Sequence, residues 1–175
     1  MANASPPFLI EALSDAHDRT PFSCGVDALD RYFISQVSQD VRRRICACFV
    51  AIERNGGAVA GYYTLATSSL PLTDIATPTA KKLPRYPLVL AVRIGRLAVS
   101  TRSRGQGIGA GLLIDGIARA LHADLMAYAI VVDAKDDAAV AFYLHYGFVA
   151  FASAPMSLYL PLAEAAKSLR LSSHI

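Results

Sequence analysis

The chain has 175 residues, 54% of them hydrophobic and only 18% charged, with a net charge of +3. This composition excludes a disordered chain, and the length suits one domain, residues 1–175, with a substantial core. No apolar run reaches membrane-span length, and Met1-Ala-Asn-Ala-Ser-Pro-Pro lacks a basic stretch followed by an apolar one, so a cytoplasmic protein with no membrane partner is expected.

In chain order, Phe8 to Leu13 reads as a first strand. Asp27 is placed as a helix cap, followed by Leu29, Phe33 and Val37 at i, i+4 and i+8, a single apolar helical face. Arg42, Arg43 and Arg44 close that helical region. The runs Cys46 to Ile52 and Ala58 to Ser68 flank Arg54-Asn-Gly-Gly57, a strong hairpin signal. Pro71 to Pro87 carries four prolines and two adjacent lysines and reads as a surface loop. A strand over Leu88 to Val99, a helix over Gly107 to His122, a strand over Tyr128 to Ala134, a helix over Asp136 to Tyr146 and strands near Val149 and Leu158 complete the chain. The order βααβββαβαββ predicts an α/β fold with a mixed sheet and helices on both faces. Cys24, Cys46 and Cys48 have no metal-ligand spacing and are expected to be buried thiols.

The most specific stretch is Arg104-Gly-Gln-Gly-Ile-Gly-Ala, which follows the apolar strand and opens the next helix. Glycines 105, 107 and 109 leave backbone N–H groups uncovered where the helix dipole is positive, which makes a pyrophosphate site. A P-loop would need Lys-Ser/Thr here, and a dinucleotide fold would need further Rossmann units. Neither is present.

The spacing Arg104-x-x-Gly107-x-Gly109 resembles the coenzyme A signature of the Gcn5-related N-acetyltransferases, the GNAT superfamily. The run Ala141-Phe-Tyr-Leu-His-Tyr-Gly-Phe148, with Tyr143 at the tyrosine, is similar to the Y-x-x-x-G-F close of that family's A-x-x-x-Y-x-x-x-G-F ending. The resemblance implies the GNAT fold, in which the strand before the glycine turn splays from the strand after the next helix. Acetyl-CoA would then bind Leu97, Ala98, Val99, Arg104, Gly105, Gln106, Gly107, Ile108, Gly109 and Ala110, without a metal. It also implies that Tyr143 protonates the departing thiolate. Tyr146 and His145 lie within a turn of it and remain alternatives.

Further segments resemble the GNAT toxins of bacterial toxin–antitoxin pairs, which acetylate the amino acid carried on charged tRNA. These are Phe22-Ser-Cys-Gly-Val-Asp-Ala-Leu-Asp30, Gly61-Tyr-Tyr-Thr-Leu-Ala66, Leu83-Pro-Arg-Tyr-Pro87, Gly95-Arg-Leu-Ala-Val99 and Leu158-Tyr-Leu-Pro161. By this resemblance the partners are charged tRNA, a ribbon-helix-helix antitoxin and a second copy of the chain in a homodimer. Basic residues cluster at Arg42, Arg43 and Arg44, at Lys81, Lys82 and Arg85, and at Arg93 and Arg96. They are candidates for contacting tRNA phosphates, with an ordinary solvated face as the alternative.

An absence narrows the substrate. Leu88 to Ser100 carries no acidic residue, where many amine-acetylating relatives place a general base. A lysine amine is only about one part in a thousand neutral at pH 7.4, whereas an α-amine is roughly a fifth to a third neutral. An aminoacyl-tRNA α-amine therefore needs the least help. A small-molecule or protein N-acetyltransferase is the alternative. Where the family usually places Asn this chain has Asp136, which is expected to cap the last helix.

Overall fold

The computed structural model describes residues 7–172, so the reading of the extreme N-terminus as free of a targeting signal lies outside the described residues. The strands are β1 (Phe8–Ala12), β2 (Ala47–Glu53), β3 (Val59–Pro71), β4 (Leu88–Val99), β5 (Ala129–Asp133), β6 (Val149–Ala150) and β7 (Ser157–Pro161). The helices are α1 (Asp27–Ser35), α2 (Val37–Arg42), α3 (Thr77–Ala80), α4 (Ile108–Leu121), α5 (Asp137–His145) and α6 (Leu162–Ser172). The seven strands form one mixed sheet in the order β1-β2-β3-β4-β5-β7-β6. β4 and β5 are parallel, and β1–β2, β2–β3, β5–β7 and β6–β7 are antiparallel.

The chain condenses into two compact units. The first comprises residues up to Leu65 together with Arg96–Gly116. Its core is aromatic: Phe33 and Tyr62 stack with centroids 4.1 Å apart, and Phe22 meets both edge-on. Such packing adds to what burial of three large rings already contributes. Of the expected face, Phe33 and Val37 are fully buried and Leu29 is half-buried, although the helix breaks at Gln36 between α1 and α2. Asp27 is not the cap; it is the first helical residue, behind Val26. The Arg54–Gly57 turn joins β2 to β3 as expected, with Gly56 and Gly57 at φ +105° and +72°. A register shift near Ala51/Ile52 leaves Ala60 out of the ladder, and its carbonyl accepts the Ser100 amide at 2.8 Å.

The second unit comprises Ala66–Gly95 and the residues from Ile117 onward. Leu70, Ile75, Ala91, Ala129, Val131 and Tyr159 form its buried cluster. The stretch expected as a bare loop holds a 3-10 turn, Leu72–Asp74, and the short helix α3. Ile75 anchors that stretch in the core, and Pro78 fits the first turn of a helix, where its missing N–H costs nothing. Asp136 caps α5, accepting the Ala139 amide at 2.8 Å, as expected. Beyond its C-terminus Gly147 adopts φ +87°, so the chain can reverse into β6. α6 follows the last strand expected from the sequence, where no helix is expected. Its Leu162 and Ala165 are buried, and Glu164 pairs with Lys167 at 3.0 Å. Of the three thiols, Cys24 and Cys48 are buried while Cys46 is only half-buried. Among the described residues no helix is long and apolar enough to cross a membrane.

Candidate active site

The glycine turn has the geometry of an anion cradle. Gly105 and Gly107 take φ +74° and +76°, a region that L side chains rarely enter, and a Cβ at either would meet nothing within 4 Å. α4 begins immediately afterwards at Ile108, and its first intrahelical bond runs from the Gly111 amide to the Gly107 carbonyl at 3.0 Å. The amides of Ile108, Gly109 and Ala110 precede that bond and have no helical acceptor. The open positions beside Gly105 and Gly107 therefore adjoin three N–H donors at the positive end of a helix. Ser103, only 2% exposed, holds the approach to the turn by donating to Glu53 at 3.0 Å. Val99 flanks it, with a methyl 3.6 Å from where a Gly109 Cβ would stand.

Leu97, Ala98 and Val99 form the last residues of β4. The parallel ladder with β5 runs from Ala91↔Ala129 to Ile94↔Val132, and β4 continues beyond it to Val99. Ala98 is buried and its carbonyl would lie 2.8 Å from a Cβ at Gly61, so only glycine fits there. Arg104 donates to the Cys24 carbonyl at 2.6 Å, leaving the rest of its five-donor fork available.

Tyr143 sits on α5, packed between Phe142 and Phe148 with centroids 5.3 Å from each, and is 7% exposed. No described protein group hydrogen-bonds its hydroxyl. Burial, and secondarily the Asp133 carboxylate, pushes the phenol up to about 12. It remains a proton donor throughout the working pH range. Tyr146 stands at the C-terminal cap of α5, its ring against Phe142 and His145.

The basic residues divide by what already holds them. Arg93 is paired with Asp133, and also donates to Ser68 at 3.4 Å. Arg96 lies over the Tyr32 ring at 3.4 Å, a close cation–π contact. Arg42, Arg43 and Arg44 are exposed and form no ion pair among the described residues, as are Lys81, Lys82 and Arg85. Arg44 has φ +60°, the only positive value at a non-glycine residue among those described. It ends α2 where glycine is the relaxed choice, because the Ile45 amide reaches back to the Asp40 carbonyl at 2.9 Å.

Every glutamate is engaged: Glu11 with His17 at 2.8 Å, Glu53 with Ser103 and Glu164 with Lys167. Asp133 at the end of β5, which sequence reasoning did not single out, is held on one oxygen by Arg93 and on the other by Ser157 at 2.6 Å. Asp30 was likewise passed over; it accepts from Cys24 and Ser23 at the start of α1. In sequence Asp30 closes the quoted Phe22–Asp30 segment and Asp133 ends the strand before α5, and no spacing marks either as functional. No group of three or more metal-ligating side chains occurs among the described residues.

Comparison with known proteins agrees with this geometry. The chain matches the family model described as "Acetyltransferase (GNAT) domain" over residues 25–157. A tRNA-acetylating toxin of Mycobacterium tuberculosis is 34% identical over 156 residues, covering 87% of this chain and 91% of the relative. The solved structure of AtaT complexed with acetyl-methionyl-tRNAfMet has a TM-score of 0.84 at 27% identity, covering 94% of this chain and 98% of that one. AtaTR bound with AcCoA is similar at TM-score 0.76 and 27% identity, over 94% and 97% of the two chains. An AtaT mutant toxin bound to the C-terminus of the antitoxin AtaR gives TM-score 0.76 at 25% identity, over 94% and 97%.

Proposed function

The chain belongs to the GNAT acetyltransferase family, and we propose that it moves acetyl from acetyl-CoA to the α-amine of aminoacyl-tRNA, blocking translation as a toxin. The observation that carries the acyl-donor half is the open glycine cradle over the first amides of α4. These donors take the pyrophosphate of acetyl-CoA, aided by Arg104, while the backbone of Leu97, Ala98 and Val99 lies along the pantetheine. The chain works as a single acetyltransferase domain and uses no metal.

The reaction forms an amide N–C bond and breaks the thioester C–S bond. The nucleophile is the neutral α-amine, which loses its proton to solvent; the side chains of Leu88 to Ser100 offer no base. Tyr143 serves the departing sulfur. A phenol held at about 12 is a weaker acid than an alkyl thiol, so full proton transfer to the thiolate is uphill. The phenol therefore acts chiefly as a hydrogen-bond donor to the forming thiolate, and solvent completes the protonation.

On the acceptor side, the unpaired cations Arg42, Arg43, Arg44, Lys81, Lys82 and Arg85 engage tRNA phosphates. Arg93 and Arg96, already held by Asp133 and Tyr32, contribute less. The protein acts in the cytoplasm as a homodimer and is silenced by a ribbon-helix-helix antitoxin. The relative of 34% identity is a tRNA-acetylating toxin, which supports this acceptor over a protein lysine or a small amine. In a reconstituted translation system, the protein with acetyl-CoA should stop peptide synthesis from charged tRNA, and the protein without acetyl-CoA should not. Continued synthesis with both present would refute the reading.

A further inference from the structure

The arginine of the cofactor turn is tied to a segment well before it in sequence. One guanidinium nitrogen of Arg104 donates to the Cys24 carbonyl at 2.6 Å. The preceding carbonyl, Ser23, accepts both the amide and the hydroxyl of Thr101, at 2.9 and 3.3 Å. Both ends of the turn at residues 101–104 thus hang on two consecutive carbonyls. Those two residues are in turn fastened to one carboxylate: the Cys24 amide donates to one oxygen of Asp30 at 2.8 Å, and the Ser23 hydroxyl donates to the other at 3.0 Å. Asp30 itself is fixed in the first turn of α1, its amide bonded to the Val26 carbonyl at 3.0 Å. Between them Gly25 takes φ +82°, and a Cβ there would stand 3.3 Å from the Arg104 nitrogen. Arg104 therefore passes over a residue that has to be glycine.

We infer that Asp30 is a positioning residue for acetyl-CoA, holding residues 23–25 against the signature turn so that Arg104 is set in place before the cofactor's phosphates arrive. A free arginine side chain must be ordered when it binds; one already anchored through its carbonyl partner has less freedom to lose. The guanidinium uses one donor on Cys24 and keeps the others for an anion. The buried thiol of Cys24 lies against Asp30 and donates to the Val26 carbonyl at 3.8 Å, while the residue's amide and carbonyl transmit the restraint to Arg104. This inference rests on the proposed cofactor site.

The test compares two acyl donors that differ only in the adenosine-phosphate portion, acetyl-CoA and S-acetylpantetheine. Asp30→Asn keeps the size of the side chain but replaces one acceptor with a donor that faces Ser23 or Cys24. Its KM for acetyl-CoA should rise about tenfold, the usual scale for losing a hydrogen bond to a charged group. Its KM for S-acetylpantetheine, and kcat at saturation with either donor, should stay near wild type. On an Arg104→Ala background the Asp30→Asn change should add little, because both act on one interaction. Where Asp30→Asn lowers the melting temperature too far for assay, Ser23→Ala should give the same donor-selective change at smaller size. Equal weakening of both donors, or unchanged acetyl-CoA KM, would overturn the inference. A folded Gly107→Val protein that still bound acetyl-CoA would instead overturn the cofactor site itself, so the two failures are distinguishable.

Discussion

At the scale of single residues, Tyr143 and Gly107 carry the most weight. Tyr143→Phe should preserve the packing against Phe142 and Phe148 and the affinity for acetyl-CoA, and should lower kcat by about 10²–10⁴. Steady-state kinetics with both substrates checks this; normal turnover would move the role to Tyr146. The pH profile has a definite sign. Burial and the nearby Asp133 carboxylate raise the phenol to about 12, so its proton is present below that value and lost only above it. Activity should therefore rise along the titration of the substrate amine, with a midpoint near or below 8, and should not fall again before roughly pH 11. A descending limb near pH 9 would point to a different acid. Gly107→Val places a branched side chain at φ +76° in the open space above the α4 amides. It should cost about 1–3 kcal/mol of stability through backbone strain and abolish acetyl-CoA binding measured by calorimetry.

At the scale of elements, the cradle was legible because its cause is local. Glycines at 105 and 107 next to an apolar strand and a helix start dictate φ > 0 and bare amides whatever the rest of the chain does. The Asp136 cap and the Arg54–Gly57 hairpin were legible for the same reason. What depends on cross-strand neighbours was not. Arg93 looks like a free cation in sequence, but parallel register sets it opposite Val131, and Asp133 two residues on neutralises it. Arg96 is taken up by Tyr32, 64 positions earlier, and Asp30 works on backbone groups that no motif displays. α6 had helix-forming residues behind Pro161, yet no motif pointed beyond the final strand. The tight seam at Gly61 is another tertiary fact. A methyl there would stand 2.8 Å from the Ala98 carbonyl and 2.9 Å from a Leu112 methyl. Gly61→Ala should thus destabilise the protein by about 1–3 kcal/mol, read as a lower midpoint in denaturant with an unchanged slope.

For the whole molecule, a net charge of +3 is modest for an RNA-binding protein, so distribution must do what total charge does not. The unpaired cations of residues 42–44 are the clearest case. Converting Arg42, Arg43 and Arg44 together to Glu should raise KM for charged tRNA and leave acetyl-CoA affinity unchanged, and added salt should do the same to the parent protein. Arg44 separates charge from fold. Its φ of +60° makes Arg44→Gly neutral or stabilising by up to about 1 kcal/mol, while the lost cation weakens tRNA binding. A KM for tRNA insensitive to these changes and to salt would place the RNA surface elsewhere.

The reaction is defined by its acceptor amine, and label transfer reads that amine without an intermediary. The protein is incubated with labelled acetyl-CoA, total charged tRNA and a lysine-containing peptide blocked at its N-terminus; the tRNA is then digested and its terminal nucleosides are separated by mass. Label on the α-amine of an aminoacyl adenosine, with the lysine peptide almost untouched, is the predicted result. Rapid labelling of lysine with every aminoacyl adenosine unmodified would contradict it.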